Sequence, residues 1–300
     1  MDKKYFIETL GLSCIENYLI GILEYNCFES RSLFYDSYLP LGELVKCFTE
    51  KEMKYEHFTV LKRLQSIAIK EGFIEYQTVK TDVKNITDEI CELIRQMRGE
   101  SIKAAKDKLS TFFLLKAKKE FVFERFNYKN WREDHYLLVL PSLKRDSTDS
   151  EYICFNESTK SNITLKYSEL EGVYDNEYVQ LKVVKQVSEE DRVRMFDMFS
   201  KTVNNYKRND INEKINSFKN LTVLRDLLLV YRVTRKRIAQ YIELNYDTSL
   251  LDKYLFKVEY IRMRNEEDKN LCTEIMGLLE EFEEDFMQKV TSIVAARAAK

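Results

Sequence analysis

The spacing of apolar residues changes twice along this 300-residue chain, and this change constrains the fold more than any other sequence feature. Up to about Lys119 apolar residues recur at helical intervals, and from Ser188 onward that spacing returns. The region between is rich in β-branched and aromatic residues, and five strands are predicted there, at 121–126, 135–140, 151–155, 163–167 and 177–185. The order predicts an α+β fold with N-terminal helices and an antiparallel sheet, followed by an all-α domain.

The helical segments have definite predicted bounds on both sides of the sheet. Helices are predicted over 14–27, 49–71, 82–98 and 101–115, and then over 221–246, 250–264 and 266–298. Ser188, followed three residues later by Asp191, forms a capping box, in which each side chain bonds the backbone amide of the other residue. We therefore predict a catalytic domain over 1–187 and a helical C-terminal domain over 188–300.

Composition argues against several classes of function. The 48 basic and 50 acidic residues give a formal net charge of -2, so no global basic excess points to nucleic acid. No run approaches the roughly 20 apolar residues that cross a bilayer, and the N-terminus is unlike a secretion signal, which predicts a cytoplasmic protein. The sequence contains neither a glycine-rich phosphate loop nor a dinucleotide fingerprint, so no bound cofactor is expected.

The six cysteines lack the spacing of a zinc site or a disulfide framework, and most are expected to be buried, unreactive thiols. Cys14 differs because Ser13 and Glu16 form a capping box around it, which makes Cys14 the first helical residue. There the helix dipole favours a thiolate, and the unpaired amides can hold an oxyanion. Cys14 is therefore a candidate nucleophile; the alternative is a small buried residue at a helix start.

Only two histidines are available as a base for such a nucleophile. His135 begins the predicted strand 135–140, whereas His57 lies in the predicted helix 49–71, where a structural or surface role is favoured. His135 is therefore the candidate base, and a half-buried strand histidine is the alternative interpretation.

A cysteine at a helix start, a distant histidine at a strand start and an amide or acid on the next strand resemble the papain-like cysteine-protease fold. The likeness is to its bacterial branch, shared by C39-type peptidases and the N-terminal domain of the butirosin biosynthesis protein H family. Cys14, His135 and the segment 154–158 match these positions, and the resemblance covers roughly residues 1–187. It implies that Asn156 or Glu157 orients the imidazole. Neighbouring strand residues face opposite sides, so only one can do so, and Asn156 is slightly favoured.

The chain departs from this family at the oxyanion hole. Papain-like enzymes carry a glutamine six residues before the nucleophile, whereas this chain has Glu8 there. An ionised Glu8 would repel the developing negative charge. Either Glu8 is protonated or turned away, or the Cys14 amide acts with a second donor such as the Thr9 or Ser13 hydroxyl.

The resemblance to the butirosin protein H family implies an amide-forming acyltransferase of natural-product biosynthesis. Such a protein takes an acyl group from a phosphopantetheine thioester on a carrier protein and passes it to a small-molecule amine. Neither nucleic acid nor a membrane is an expected partner. Two other hypotheses stay open: a cytoplasmic cysteine peptidase or amidohydrolase, and a scaffold protein whose catalytic domain has lost activity.

Two charge clusters lie in the predicted helical domain. The candidate carrier-docking residues are Arg232, Arg235, Lys236 and Arg237, for which a solvated helix face is the alternative. The acidic run 280–285 is predicted to be an exposed side of a helix, because it has no metal-ligand neighbours.

Overall fold

The structure is a computed structural model, which describes residues 10–25, 28–59, 72–100, 111–126, 134–140, 151–156, 159, 161–206, 221–264 and 270–298. The chain forms two compact units. The first comprises Met1–Thr9, Ser13–Phe28 and Gln65–Gln186; the second comprises Leu10–Leu12, Glu29–Leu64 and Val187–Lys300. One division thus falls beside the capping box at Ser188, but the second unit also takes in an early segment of the chain.

The first unit contains the sheet. Its helices are α1 (Cys14–Tyr25), α3 (Val83–Glu100), α4 (Lys119–Phe126) and the short α5 (Leu170–Val173), which follows a 3-10 turn over Tyr167–Glu169. Its strands are β1 (Ile74–Lys80), β2 (Thr111–Ala117), β3 (His135–Leu140), β4 (Glu151–Asn156), β5 (Ser161–Lys166) and β6 (Tyr174–Val183).

In the described part of the chain these six strands form one sheet in the order β1-β6-β2-β3-β4-β5, with every neighbouring pair antiparallel. Strand β3 lies between β2 and β4, and all six of its residues are buried. The register pairs Ala117 with His135 on one side of β3 and Leu138 with Phe155 on the other. The mixed α+β class predicted from the sequence is therefore confirmed.

The two faces of the sheet bury different helices. On one face Leu137, Val139 and Cys154 belong to a core that includes Ile86 of α3 and Val122 of α4. Side chains alternate along a strand, so Phe155 points to the opposite face. There the ring of Tyr18 in α1 meets the ring of Phe155 edge-on, with centroids 6.4 Å apart. Helix α1 consequently packs on the face opposite to α3 and α4.

The second unit is helical in its described residues. Its helices are α2 (Leu41–Thr49), α6 (Glu189–Asn204), α7 (Leu221–Tyr241), α8 (Ser249–Arg264) and α9 (Leu271–Ala298), with 3-10 turns at Ser30–Phe34 and Tyr55–Phe58. One apolar core joins Leu44 of α2, Leu227 of α7, Leu251 of α8 and Ile275 of α9. At the start of α6 both halves of the predicted capping box are present: the Asp191 amide donates to Ser188 Oγ over 3.1 Å, and the Ser188 amide donates to Asp191 Oδ2 over 3.0 Å.

Several predicted elements are wrong. Segment 121–126 is part of helix α4, in which only Val122 is fully buried and Phe123 is exposed. Residues 111–115, predicted as helix, belong to the central strand β2, whose contiguous apolar run reflects burial on both faces. Strand β1 was not predicted, since this edge strand shows little alternation of burial. Of the predicted helix 49–71, the described residues 50–59 contain only a 3-10 turn, and the part from 60 to 71 lies outside the described residues.

Candidate functional site

Cys14 lies at the first position of helix α1, as predicted. The Glu16 amide donates to Ser13 Oγ over 3.2 Å, so the Ser13 side chain caps the helix. The Cys14 thiol is partly exposed. This position sets the sulfur at the positive end of the helix dipole.

The sulfur of Cys14 lies beside the start of strand β3. Its thiol donates a hydrogen bond to the carbonyl oxygen of Asp134 over 3.8 Å, and Asp134 immediately precedes His135. The two contacting residues are 120 positions apart in the sequence. The sulfur therefore contacts the backbone of the residue that precedes the predicted base.

His135 is hydrogen-bonded to Asn156 of the neighbouring strand. His135 Nε2 and Asn156 Oδ1 are 3.1 Å apart, and both residues are buried. Leu138 pairs with Phe155, so one further step of this register sets Asn156 opposite Leu137. Leu137 is two residues from His135, so the side chains of His135 and Asn156 lie on the same face of the sheet. Asn156 thus lies where the sequence favoured an orienting residue, whereas Glu157 lies outside the described residues.

The contact with Asn156 fixes which nitrogen of the imidazole is basic. An amide oxygen only accepts hydrogen bonds, so Nε2 carries the proton and Nδ1 is the basic nitrogen of the neutral ring. Burial lowers the pKa of His135, and the Asn156 hydrogen bond opposes this without outweighing it. The Phe126 ring of α4, with its centroid 5.8 Å from that of the imidazole, contributes to this apolar environment. The neutral imidazole is consequently the favoured form near pH 7.

Two residues that the sequence did not single out hold the strands around this site. The Tyr18 hydroxyl of α1 contacts the carbonyl oxygens of Tyr136 and Phe155 at 3.0 and 2.9 Å. Lys116 of β2 pairs through Nζ with Asp134 Oδ2 at 3.0 Å. The helical spacing of Tyr18 from Cys14 is a signal that could have drawn attention to Tyr18. For Lys116, whose partners lie just before β3 and in β6, the sequence has no such signal.

Lys116 lies among several carboxylates. Besides Asp134, its Nζ is 3.8 Å from Asp175 Oδ2 and 3.9 Å from Glu177 Oε1. Burial disfavours the charged form of Lys116, but the three carboxylates outweigh this and raise its pKa. The ammonium therefore stays charged and ties Asp134, whose carbonyl contacts Cys14, to strand β2.

The candidate oxyanion-hole residues are only partly described. Ser13 accepts the Glu16 amide hydrogen bond and so acts as the helix cap. Glu8 and Thr9 lie outside the described residues. The backbone amide of Cys14 stays a candidate donor through its place in the first turn of α1, where amides lack intrahelical acceptors.

The remaining histidine and cysteines have different surroundings. His57 is exposed and accepts a hydrogen bond at Nδ1 from the Lys54 amide over 3.1 Å, in a 3-10 turn and not in the predicted helix. The described cysteines differ in burial: Cys47 and Cys154 are buried, and Cys14, Cys91 and Cys272 are partly exposed. Burial raises the pKa of Cys154 well above its usual range, so that thiol is unreactive. Of the described cysteines other than Cys14, two are thus buried as expected and two are partly exposed.

The basic cluster predicted to dock a carrier protein is largely unavailable for docking. Arg235 and Arg237 are only 0% and 1% exposed. Arg237 donates from Nε to the Leu10 carbonyl over 2.8 Å. Arg232 is ion-paired with Asp252, and Lys236 Nζ is 3.9 Å from the same carboxylate. The docking prediction is therefore wrong for Arg235 and Arg237, because helix α7 is buried on most of its sides.

The predicted exposure of the acidic run is wrong at one residue. Glu283 is buried, and it accepts hydrogen bonds from Arg235 Nε and Nη2, each over 2.8 Å. The segment 280–285 thus contains exposed carboxylates and one buried carboxylate, that of Glu283, which pairs with Arg235.

Within the described part of the chain no helix is long and apolar enough to cross a membrane. The same residues contain no group of three or more His, Cys, Asp or Glu side chains arranged to hold a metal ion. No protein-family model matches the chain, and neither a curated protein nor a solved structure shows significant similarity to it.

Proposed function

We propose that this protein is a cysteine-dependent, amide-forming acyltransferase with a papain-like catalytic domain. Two contacts support the proposal: the Cys14 thiol bonds the carbonyl oxygen of Asp134, the residue before His135, and His135 is hydrogen-bonded to Asn156. A thiol at a helix start, a neutral imidazole and an amide holding the far ring nitrogen are the groups that nucleophilic acyl transfer requires. The donor in this proposal is an acyl thioester of phosphopantetheine on a carrier protein, and the acceptor is a small-molecule amine.

In the first half-reaction Cys14 replaces the thiol of the donor. The Cys14 thiol exchanges its weak bond to the Asp134 carbonyl for one to His135 Nδ1 and transfers its proton there. The sulfur attacks the thioester carbon, the donor C–S bond breaks, and the departing thiolate takes the proton from the imidazolium. The amide of Cys14 stabilises the oxyanion in between. The products are a Cys14 acyl-enzyme and free phosphopantetheine thiol.

In the second half-reaction an amine consumes the acyl-enzyme. His135 Nδ1 accepts a proton from the attacking nitrogen, the bond between the acyl carbon and Cys14 breaks, and the sulfur recovers that proton. Throughout, Asn156 accepts from Nε2–H and so keeps the same nitrogen basic. A thioester donor suits this chemistry because exchange between thiols is nearly balanced, whereas aminolysis runs downhill.

The electrostatics of the site agree with a general base that works near neutral pH. Burial lowers the pKa of His135, so the imidazole starts neutral and is able to accept the thiol proton. The hydrolase alternative uses the same groups with water as the acceptor, and only the products distinguish the two.

The decisive experiment follows acyl transfer by intact mass. The full chain is incubated with a panel of acyl thioesters of N-acetylcysteamine, which mimic the end of phosphopantetheine, and butylamine is then added. We expect an adduct on Cys14 that disappears as N-butyl amide forms. Cys14→Ala should abolish the adduct, whereas Cys272→Ala, at another partly exposed cysteine, should retain it. Release of free acid alone would identify a hydrolase, and absence of any adduct in the wild type would indicate an inactive scaffold.

A further inference from the structure

We propose that Tyr18 is a positioning residue, whose hydroxyl holds Cys14 in register with the His135–Asn156 pair. The inference deepens the proposed function and rests on it. Tyr18 is fully buried, and its hydroxyl oxygen lies 3.0 Å from the Tyr136 carbonyl oxygen and 2.9 Å from that of Phe155. Tyr136 directly follows His135, and Phe155 directly precedes Asn156. One hydroxyl thus contacts the backbone next to both members of the pair.

The position of these contacts in the sheet explains why a hydroxyl is needed there. The pairing of β3 with β4 runs from Leu138↔Phe155 to Leu140↔Ile153. Tyr18 joins the two strands at the Leu138↔Phe155 end of this ladder, beyond which His135 and Asn156 follow. Its single O–H proton is shared between carbonyl oxygens of both strands, so the hydroxyl restrains their separation where the imidazole–amide bond forms.

The other end of the link is the helix that carries the nucleophile. Tyr18 follows Cys14 by four residues in α1, so the two side chains lie on the same side of the helix, about one turn apart. A restraint that fixes the position of Tyr18 along the helix axis therefore also fixes the position of Cys14 along that axis, relative to the start of β3. The edge-on contact between the Tyr18 and Phe155 rings supports the same placement through packing.

The chemical consequence is that loss of the hydroxyl should impair proton transfer more than folding. A phenylalanine keeps the ring and its packing on Phe155, but it releases both carbonyl oxygens. The strands and the helix can then shift relative to one another, which we expect to weaken the coupling of Cys14 to His135.

The test compares Tyr18→Phe with Tyr174→Phe in the full chain. Tyr174 of strand β6 is as buried as Tyr18, and its hydroxyl has no hydrogen-bond partner among the described residues. The readout is the rate of iodoacetamide alkylation at Cys14, measured by peptide mass at pH values from 5 to about 9, a range that covers the usual imidazole and thiol titrations. For Tyr18→Phe we expect a loss of about five-fold near pH 7, the factor that one hydrogen bond represents. The pH of half-maximal rate should also rise toward that of an ordinary thiol. Tyr174→Phe should follow the wild type.

A rescue variant separates positioning from folding. Replacement of Tyr18 by p-aminophenylalanine keeps the ring and supplies two N–H donors for the two carbonyls, so it should restore most of the lost rate. If Tyr18→Phe does not fold, the p-aminophenylalanine variant is compared with the wild type instead. An alkylation rate and pH profile like those of an isolated thiol in that variant would overturn the inference.

The failure of this inference is distinguishable from the failure of the proposed function. A wild-type pH profile in Tyr18→Phe, together with slow alkylation in His135→Ala, would overturn the role of Tyr18 alone. If His135→Ala also alkylates at the wild-type rate, His135 does not activate Cys14, and the proposed function fails with it.

Discussion

Each unit buries a pair of polar side chains contributed by two separate elements, and one pair is neutral whereas the other is charged. In the first unit His135 and Asn156 share one neutral hydrogen bond of 3.1 Å, and burial lowers the pKa of the imidazole. In the second unit Arg235 and Glu283 form an ion pair, with Arg235 Nη2 2.7 Å from Glu283 Oε2. The first pair contains a neutral imidazole that can accept a proton, whereas the second is an ion pair.

The surroundings of Glu283 show what stabilises a charged pair in a core. Its carboxylate also accepts from the Tyr38 and Tyr231 hydroxyls over 3.1 and 3.2 Å, and from the Leu41 amide over 3.3 Å. Burial disfavours the charged form of Arg235, but Glu283 outweighs this and raises its pKa. These hydrogen bonds stabilise the buried ion pair, and they link α7, α9 and the start of α2. The comparison indicates that the Arg235 pair is structural and that the His135 pair is suited to chemistry.

The largest effect is expected from breaking the charged pair. Glu283→Ala leaves the buried Arg235 guanidinium without its carboxylate, and we expect the free energy of unfolding to fall by about 3–5 kcal/mol in urea titrations. Glu281→Ala, two residues earlier on an exposed side of the same helix, should change it by less than about 0.5 kcal/mol. Equal losses in the two variants would contradict the structural role of the pair.

Breaking the neutral pair should have a smaller effect on stability and a larger one on reactivity. Asn156→Ala leaves a buried N–H of His135 without this acceptor, which should lower the free energy of unfolding by about 1–3 kcal/mol. It should also slow alkylation of Cys14 near pH 7, because the imidazole loses its fixed tautomer. Asn156→Asp, which keeps an acceptor, serves as the control. If Asn156→Ala alkylates as fast as the wild type, Asn156 does not orient the base.

The two helix caps offer a matched comparison with a smaller expected effect. Ser13→Ala and Ser188→Ala each remove a side-chain acceptor from a first-turn amide, so each should lower the free energy of unfolding by about 1 kcal/mol. Only Ser13→Ala should also change the alkylation rate of Cys14, since Ser188 caps a helix of the other unit. A similar change of rate in both variants would mean that general loosening of the fold, and not the local cap, controls the thiol.

The smallest effect concerns acid stability. The pKa of His135 is lowered in the folded state, so the unfolded chain, with a histidine pKa near 6.5, binds more protons between the two values. The contribution of the neutral imidazole to stability is therefore present above about pH 6.5 and is lost as the pH falls through the lower, folded value. The free energy of unfolding of His135→Asn should vary less than that of the wild type across this window. Parallel curves for the two proteins would exclude burial of a neutral imidazole.

Local signals predicted the positions of Cys14 and His135 because a helix start and a strand start depend on a few neighbouring residues. The Ser13 and Ser188 caps and strand β3 were predicted correctly for this reason. That Cys14 would lie near the start of β3 was expected only from the resemblance, since no local pattern specifies the contact between Cys14 and Asp134, 120 residues apart.

Signals that depend on tertiary burial were interpreted wrongly. The arginines at 235 and 237 have the local sequence of a solvated helix face, and only the distant partners Glu283 and Leu10 make their burial possible. Likewise, the apolar run of β2 lacks the alternation of a half-buried strand because both of its faces are covered, so its spacing did not distinguish strand from helix. In both cases the deciding information lies in residues far along the chain.

The hydrogen bond from Arg237 to the Phe58 carbonyl, of 3.3 Å, spans 179 residues, and it has a consequence for the order in which the chain matures. Segment 29–64 leaves the ribosome early, yet the apolar partners of Leu44 and Phe48 in α7 and α9 are synthesised much later. Until then this stretch exposes surface that invites aggregation or chaperone binding, and such long-range closure slows folding. A polypeptide that stops at residue 187 would keep that surface uncovered permanently, so removing the C-terminal helices would leave the remainder poorly behaved, however complete its sheet.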